Sequence, residues 1–243
     1  MTNSGDPWWT VPMLGWSDDR PSEQERGRTT RHALLLAAAD LFAARGYHGA
    51  SLTDILKVSG RTKGALYFHF SSKQALAQAL QTEIVASWEL VRAEIAARGL
   101  DPLKELLVET DAYVGRWTHD PIVRGAGAAM ASADVFTEGH RTWYRDWQQC
   151  TAAHLHRARN DGLLRDDIDP DRASRLIVAA GAGHHAFSEI LPGPPDFFAR
   201  MTDTWQGLLP AVAVDSWLAE FWASGWDQRP APDPAAFARL REP

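Results

Sequence analysis

The sequence predicts an all-α chain in which a short three-helix block, built around a helix-turn-helix, precedes a larger helical body. Three observations carry that prediction. Apolar residues recur at spacings of three and four from Thr30 almost to Trp226. No segment shows sustained period-two alternation, and no internal repeat is visible. Two very short helical candidates, 52–59 and 62–68, are separated only by Gly60-Arg61, as in two helices folded on a tight turn.

Taken in order, residues 1–27 contain Gly5, Pro7, Pro12, Gly15, Pro21 and Gly27 without periodicity and read as a flexible arm. Trp8, Trp9 and Trp16 in that arm are candidates for docking on a surface. From Thr30, Leu34, Leu35, Ala38, Leu41 and Phe42 fall on one helical face, and Arg45-Gly46 supplies a basic last turn and a glycine cap. Residues 47–50 connect to 52–59, where Asp54 complements the first turn, and Thr62 is a good N-cap for 62–68. A long helix is expected from Ser71-Ser72 to Arg98, with Leu76, Leu80, Ile84, Trp88, Val91 and Ile95 inward and Gly99 as its stop. Further helices are expected at 102–117, 121–132, 137–160, 170–190, 197–209 and 214–226. Asp161-Gly162 and Pro192-Gly193-Pro194-Pro195 act as breaks, and a Pro-rich tail fills 229–243. The expected organisation is an arm at 1–27, the helix-turn-helix domain at 28–75, the body at 76–228 and the tail at 229–243.

Composition narrows the class. With 243 residues, 45% of them apolar, the chain is long enough for a substantial core. A single cysteine, Cys150, excludes a disulfide-stapled module, and a buried, inert thiol is its default reading. No apolar run approaches the ~18–20 residues of a membrane span, and Met1 to Arg20 lacks the basic start and apolar run of a secretory signal. A cytoplasmic protein without a membrane partner is expected. The net charge of −6 hides a polarity: 26–80 holds eight basic residues against Asp40 and Asp54, a net +6, so the remainder carries −12. The eleven tryptophans are equally uneven, with none between Trp16 and Trp88. A short basic block joined to a larger acidic, tryptophan-rich one suggests two jobs in one chain.

A helix that enters the major groove by its N-terminal end must keep acids away from phosphate. The stretch RTKGALYFHFSSK, 61–73, meets that demand: Arg61, Lys63, His69 and Lys73 are cationic or potentially so, and no acid interrupts them. Gly64 and Ala65 permit close backbone approach, Thr62 caps the helix, and Tyr67 and His69 offer donors at its far end. The bland alternative is a buried helical hairpin whose basic residues are a solvated face.

Residues 31–76, above all TKGALYFHFSSK at 62–73 and AAADLFAARGYHGASLTDI at 37–55, resemble the DNA-binding domain of the TetR family of bacterial repressors. Within that family GALYFHF and DLFAARGY look most like the γ-butyrolactone-type autoregulator receptors of Streptomyces. The resemblance implies that Thr62, Lys63, Gly64 and Ala65 form the groove-entering turn. It also implies that Tyr67, His69 and Lys73 meet phosphates, and that Ser51 and Thr53 touch the backbone ahead of them. Phe42, Ile55, Leu66 and Phe70 become the small domain's core. Arg31 is counted with the DNA contacts, as is Arg61, which stands where the family usually has an apolar residue and either meets the DNA or snorkels.

The resemblance further implies a ligand pocket inside each subunit. The strongest candidate lining lies in 141–155, where Trp143, Trp147, Cys150 and His154 share one face and Tyr144, Gln148 and Thr151 the adjoining one. Trp147 matches a tryptophan that such receptors use against the ligand. Tyr144, Gln148 and Thr151 are the candidate orienting groups, with Trp117, Val123 and Met130 as an apolar wall. The alternative for each is packed core. GAGAAMASA, 125–133, has neither the strand nor the spacing of a phosphate loop, and His184-His185 with Glu189, or His154 with His156, lacks a third metal ligand. No cofactor and no metal are expected. Helices 170–190 and 197–209 resemble the pair that forms a four-helix dimer interface in the family, while Trp217, Phe221 and Trp222 either extend that interface or cover the pocket.

The expected function is a homodimeric repressor that binds a pseudo-palindromic double-stranded operator. A small apolar signal of butyrolactone, butenolide or furan type releases it, in the control of antibiotic biosynthesis. The alternatives are a multidrug-efflux regulator or antibiotic-responsive pseudo-receptor of the same family and, from another class, an enzyme with an incidental helical N-domain. No nucleophile–base spacing, metal set or cofactor fingerprint favours the enzyme.

Overall fold

The structure, a computed structural model, describes residues 23–131, 133–190 and 196–233; the side chains of residues 23, 132–140 and 189 lie outside that description. Ten α-helices follow one another among these residues. They are α1 (Glu23–Gly49), α2 (Leu52–Ser59), α3 (Lys63–His69), α4 (Lys73–Ala97), α5 (Pro102–His119), α6 (Pro121–Met130), α7 (Ala133–Asn160), α8 (Pro170–Ile190), α9 (Phe197–Val212) and α10 (Asp215–Ala223), with a 3-10 turn at Trp226–Gln228. The one extended pairing among the described residues is the isolated bridge Leu164–Ala213. No helix among them is long and apolar enough to cross a membrane.

Gly60 at 65°, Gly99 at 64° and Gly162 at 71° stop helices at positive φ as expected, whereas Gly46, at 69°, makes a kink inside α1 rather than its end, so 47–49 of the expected connector continue that helix. Other boundaries differ too: α7 begins at Ala133, four residues ahead of the expected 137, and three more differences have a local cause. α1 starts at Glu23, so 23–27 of the expected arm is helix; its first turns are polar and carry local bonds such as Thr29 Oγ1 to Glu25 O at 3.0 Å. Apolar periodicity begins only where the helix has something to pack against. α9 runs through Pro210 to Val212. Pro210 gives up the bond to Gln206 O, but Ala213 N still closes the turn on Leu209 O at 2.9 Å, and the chain beyond is held by Arg165 N to Val212 O and Val214 N to Leu163 O, both 3.0 Å. α10 stops at Ala223, ahead of Gly225 at φ 75°. The expected mobile arm at 1–22, with its three tryptophans, the Pro-rich break at 191–195 and the tail at 234–243 lie outside the described residues.

The described residues form two compact units, one of 23–93, 119–140 and 233, the other of 94–118, 141–190 and 196–232. In the first, α1 packs on α6 and against α2 and α3. Leu34, Leu35, Ala38, Phe42, Ile55, Leu66, Phe70, Leu76 and Leu80 make one buried core. Each of the leucine, isoleucine and phenylalanine side chains among them stabilises by about 1.5–3 kcal/mol. α1 and α6 touch backbone to backbone: a Cβ at Gly125 would stand 2.3 Å from Ala39 Cα and 2.5 Å from its carbonyl oxygen.

In the second unit α9 packs on α8 and α10. Arg229, expected in the tail, is instead drawn inward. Its Nε and Nη2 donate to the two carboxylate oxygens of Asp111, the second at 2.9 Å, and its guanidinium lies 5.7 Å from the Phe198 ring centroid. Asp111 has no exposed surface, and burial pushes its carboxyl up to about 6 against the downward pull of Arg229.

Stability is testable at Gly125, Gly64 and Asp111. Gly125→Ala lowers unfolding free energy by roughly 1–3 kcal/mol, because backbone cannot yield to the added methyl. Gly64→Ala in α3, where a Cβ meets nothing within 4 Å, raises it by up to about 1 kcal/mol; denaturant unfolding of the two variants reads the difference in sign. For Asp111, the folded state holds a proton that the unfolded state releases near pH 4, so its contribution to stability falls as pH rises from about 4 to 6. Unfolding measured across that window shows the wild type losing up to about 3 kcal/mol relative to Asp111→Asn.

Candidate nucleic-acid interface and aromatic site

The reader is assembled from local signals. Ser51 caps α2: its Oγ accepts from Asp54 N at 3.1 Å and donates to Asp54 Oδ2 at 2.7 Å. That hydrogen bond, with Arg45 3.6 Å away, holds the Asp54 carboxyl below its ordinary value. Gly60 closes α2 through its N–H to Leu56 O at 3.1 Å and turns the chain toward α3. Thr62 then caps α3, its Oγ1 accepting from Ala65 N at 3.2 Å. Leu66, fully buried, fixes the inward face of α3.

This leaves Ser51, Thr53, Thr62, Lys63, Gly64 and Tyr67 exposed and Ala65 half-exposed along one continuous stretch. Lys63 Nζ lies 5.9 Å from the Tyr67 ring centroid. Arg61 is half-buried, and its Nε is buried without a hydrogen-bond partner among the described residues.

Three predicted contacts have internal work as well. Lys73 Nζ donates to Tyr47 O and to Ala50 O, each at 2.9 Å, and sits 4.4 Å from the Tyr47 ring centroid. Two of its three N–H donors are therefore committed to the backbone between the Gly46 kink and α2. Arg31 pairs with Glu83 of α4 at 2.6 Å and lies 5.6 Å from the Phe70 ring centroid. His69 is pushed below its ordinary value by burial and then by the Arg31 charge, so at neutral pH it offers one N–H rather than a cation. Sequence reasoning missed Phe68, whose side chain is 83% exposed, although counting two residues on from Leu66 would have turned it outward.

In the second unit the predicted Trp147, Trp117 and Tyr144 do meet, around a residue the sequence reading did not select. Tyr113 of α5 stacks on Trp147 at 4.3 Å and 25° and has Trp117 at 5.9 Å, Trp143 at 6.4 Å and Phe197 at 6.1 Å. Tyr144 lies 6.2 Å from Trp147, and His185 bridges Trp117 at 4.3 Å and Phe197 at 5.8 Å. The rim of Trp147 occupies the place of a side chain at Gly181, where a Cβ would stand 2.6 Å from its Cη2. Burial raises both the Tyr113 and Tyr144 hydroxyls above their ordinary values, so both remain donors. Gln148 is half-buried and Thr151 fully so.

The far end of the α7 face is polar. His154 Nε2 meets Glu109 Oε2 at 2.8 Å and its Nδ1 lies 3.5 Å from Glu105, which Arg157 approaches to 2.7 Å. Cys150 is half-buried rather than enclosed. Val123 and Met130 are buried on α6, within the first unit.

Known proteins similar to this chain match the helix-turn-helix region and extend beyond it. Residues 34–80 match the model of bacterial regulatory proteins, tetR family. The A-factor receptor protein of Streptomyces griseus is 32% identical over 192 residues, 79% of this chain and 67% of that protein. A solved structure described as the molecular basis for control of antibiotic production by bacterial hormones is 33% identical, with a TM-score of 0.65, across 76% of this chain and 98% of its own. A γ-butyrolactone receptor described as ArpA-like superimposes with a TM-score of 0.70 at 26% identity, covering 89% of this chain and 98% of its own. The chain belongs to the tetR family of bacterial regulatory proteins.

Proposed function

We propose that this protein is a homodimeric, ligand-released repressor of the γ-butyrolactone-receptor type, which binds a pseudo-palindromic operator and controls antibiotic biosynthesis. The observation that carries this reading is the 79% span of the match to the A-factor receptor, which takes in the body as well as the reader. In this reading residues 28–75 are the DNA-binding domain, 76–228 the ligand and dimerisation domain, and the protein works in the cytoplasm without catalysing a reaction. Lys63, Gly64, Ala65 and Thr62 enter the major groove; Arg31, Ser51, Thr53, Arg61, Tyr67, His69 and the free N–H of Lys73 serve the groove's rim and backbone.

The signal is a small, largely apolar molecule of lactone, butenolide or furan type. Tyr113, Trp117 and Trp147 offer it aromatic faces, and Tyr144, Gln148 and Thr151 offer the few polar groups that orient a ring carbonyl. Ligand binding weakens operator binding by a factor that DNA must return in kind. Helix α4 supports the coupling because it begins at Lys73 and continues past 93 into the second unit.

A dimer is required because two reading helices must reach half-sites about 34–36 Å apart. The surface that supports it is a stripe on α8. Leu176, Phe187 and Ile190 are 58%, 54% and 76% exposed, and Ala180 and Gly183 fall between them at helical spacing. A Cβ at Gly183 meets nothing within 4 Å, which leaves the stripe open to close helix approach.

Two experiments test the reading. In an electrophoretic shift on the protein's own upstream region, Trp147→Ala retains the complex but no longer releases it when an extract of the producing organism is added. Release equal to wild type removes Trp147 from the ligand site. Phe187→Asp, measured by sedimentation, gives a monomer whose operator affinity falls by at least tenfold; an undiminished dimer overturns the α8 interface.

A further inference from the structure

The outermost ridge of α3 has no internal work. Leu66 is fully buried and marks the inward direction. Gly64 and Phe68 each stand two residues from it, about 200° around the helix on either side, so the pair forms the line facing directly away from the core. Phe68 is the most exposed of the large apolar side chains among the described residues, at 83%. Around Gly64 the space is open. The ridge is therefore an aromatic ring standing one turn beyond a notch with no side chain, and the edge of His69 braces the ring at 5.0 Å. Exposed Lys63 stands beside the notch, and no acid occurs from Arg61 to Lys73.

We propose that this ridge reads thymine: the Phe68 ring packs against the C5-methyl group of a thymine in the major groove, and Gly64 leaves room for the base edge. The inference rests on the operator-binding reading given above. The thymine methyl is the apolar feature that the major groove displays, and phenylalanine is among the side chains that match it. A phosphate would require a donor, which phenylalanine lacks. Apolar wedges between base steps act from the minor groove, whereas a helix of this kind enters the major groove. The cations and the absence of acid around the ridge complement DNA rather than an apolar protein surface.

The test uses the full-length protein and an operator selected by it from a random duplex pool. Each thymine is replaced in turn by deoxyuridine, which deletes only the methyl, and binding is measured for wild type and Phe68→Ala. At one thymine per half-site the replacement weakens wild type roughly 3- to 5-fold, the worth of one buried methyl. It leaves Phe68→Ala unaffected there, and that variant already binds the unmodified operator at least as weakly. The exposed position lets the variant keep the wild-type circular dichroism. If deoxyuridine nowhere weakens wild type, or weakens both proteins alike at every position, thymine reading is overturned while operator binding stands. Failure to select any duplex overturns both.

Discussion

The geometry of the reader depends on the ammonium of Lys73. Past the kink at Gly46 the chain turns toward α2, and the carbonyls of Tyr47 and Ala50 come to face one side chain. Both accept from Lys73 Nζ at 2.9 Å, and the Tyr47 ring backs the charge. Because Lys73 is the first residue of α4, the same contact ties the long helix to the connector ahead of the reading pair. A charge-assisted bond to two carbonyls fixes direction as well as distance. The orientation of α2 and α3 relative to α4 is thus set by a polar suture, with the Leu34, Phe42, Ile55, Leu66 and Phe70 core filling the space beneath it.

The division of labour visible in the charge pattern has a physical counterpart in the two units. Two of the reader's cations also have structural work, Arg31 on Glu83 and Lys73 on backbone carbonyls, whereas Arg26, Arg28, Arg45, Lys57 and Lys63 stay exposed. The second unit spends its tryptophans differently, crowding Trp117, Trp143 and Trp147 around Tyr113, where offset stacking and edge contacts stabilise the cluster.

Helix ends were legible in the sequence because their signals are local. Ser51, Thr62 and Asp120 cap the helices that follow them, and Gly60, Gly99 and Gly162 end segments at positive φ. Residues whose roles depend on distant chain were not legible. Tyr113, His185 and Phe197 join the aromatic cluster from three different helices, and nothing in the spacing on α7 names them. Lys73 read as a phosphate contact because its partners, two backbone carbonyls, leave no trace in side-chain identity. Phe68 is a different case, since the helical wheel contained it and the eye for charge passed over it.

The clasp between Asp111 and Arg229 also has a direction in time. α5 leaves the ribosome long before residue 229 is made, so Asp111 waits through most of the synthesis of the second unit without its counter-charge. An acid buried in that state is strongly destabilising, whereas the paired one is tolerated. The clasp can form only after residue 229 has been made, so the charge balance around Asp111 depends on a side chain 118 positions downstream of it.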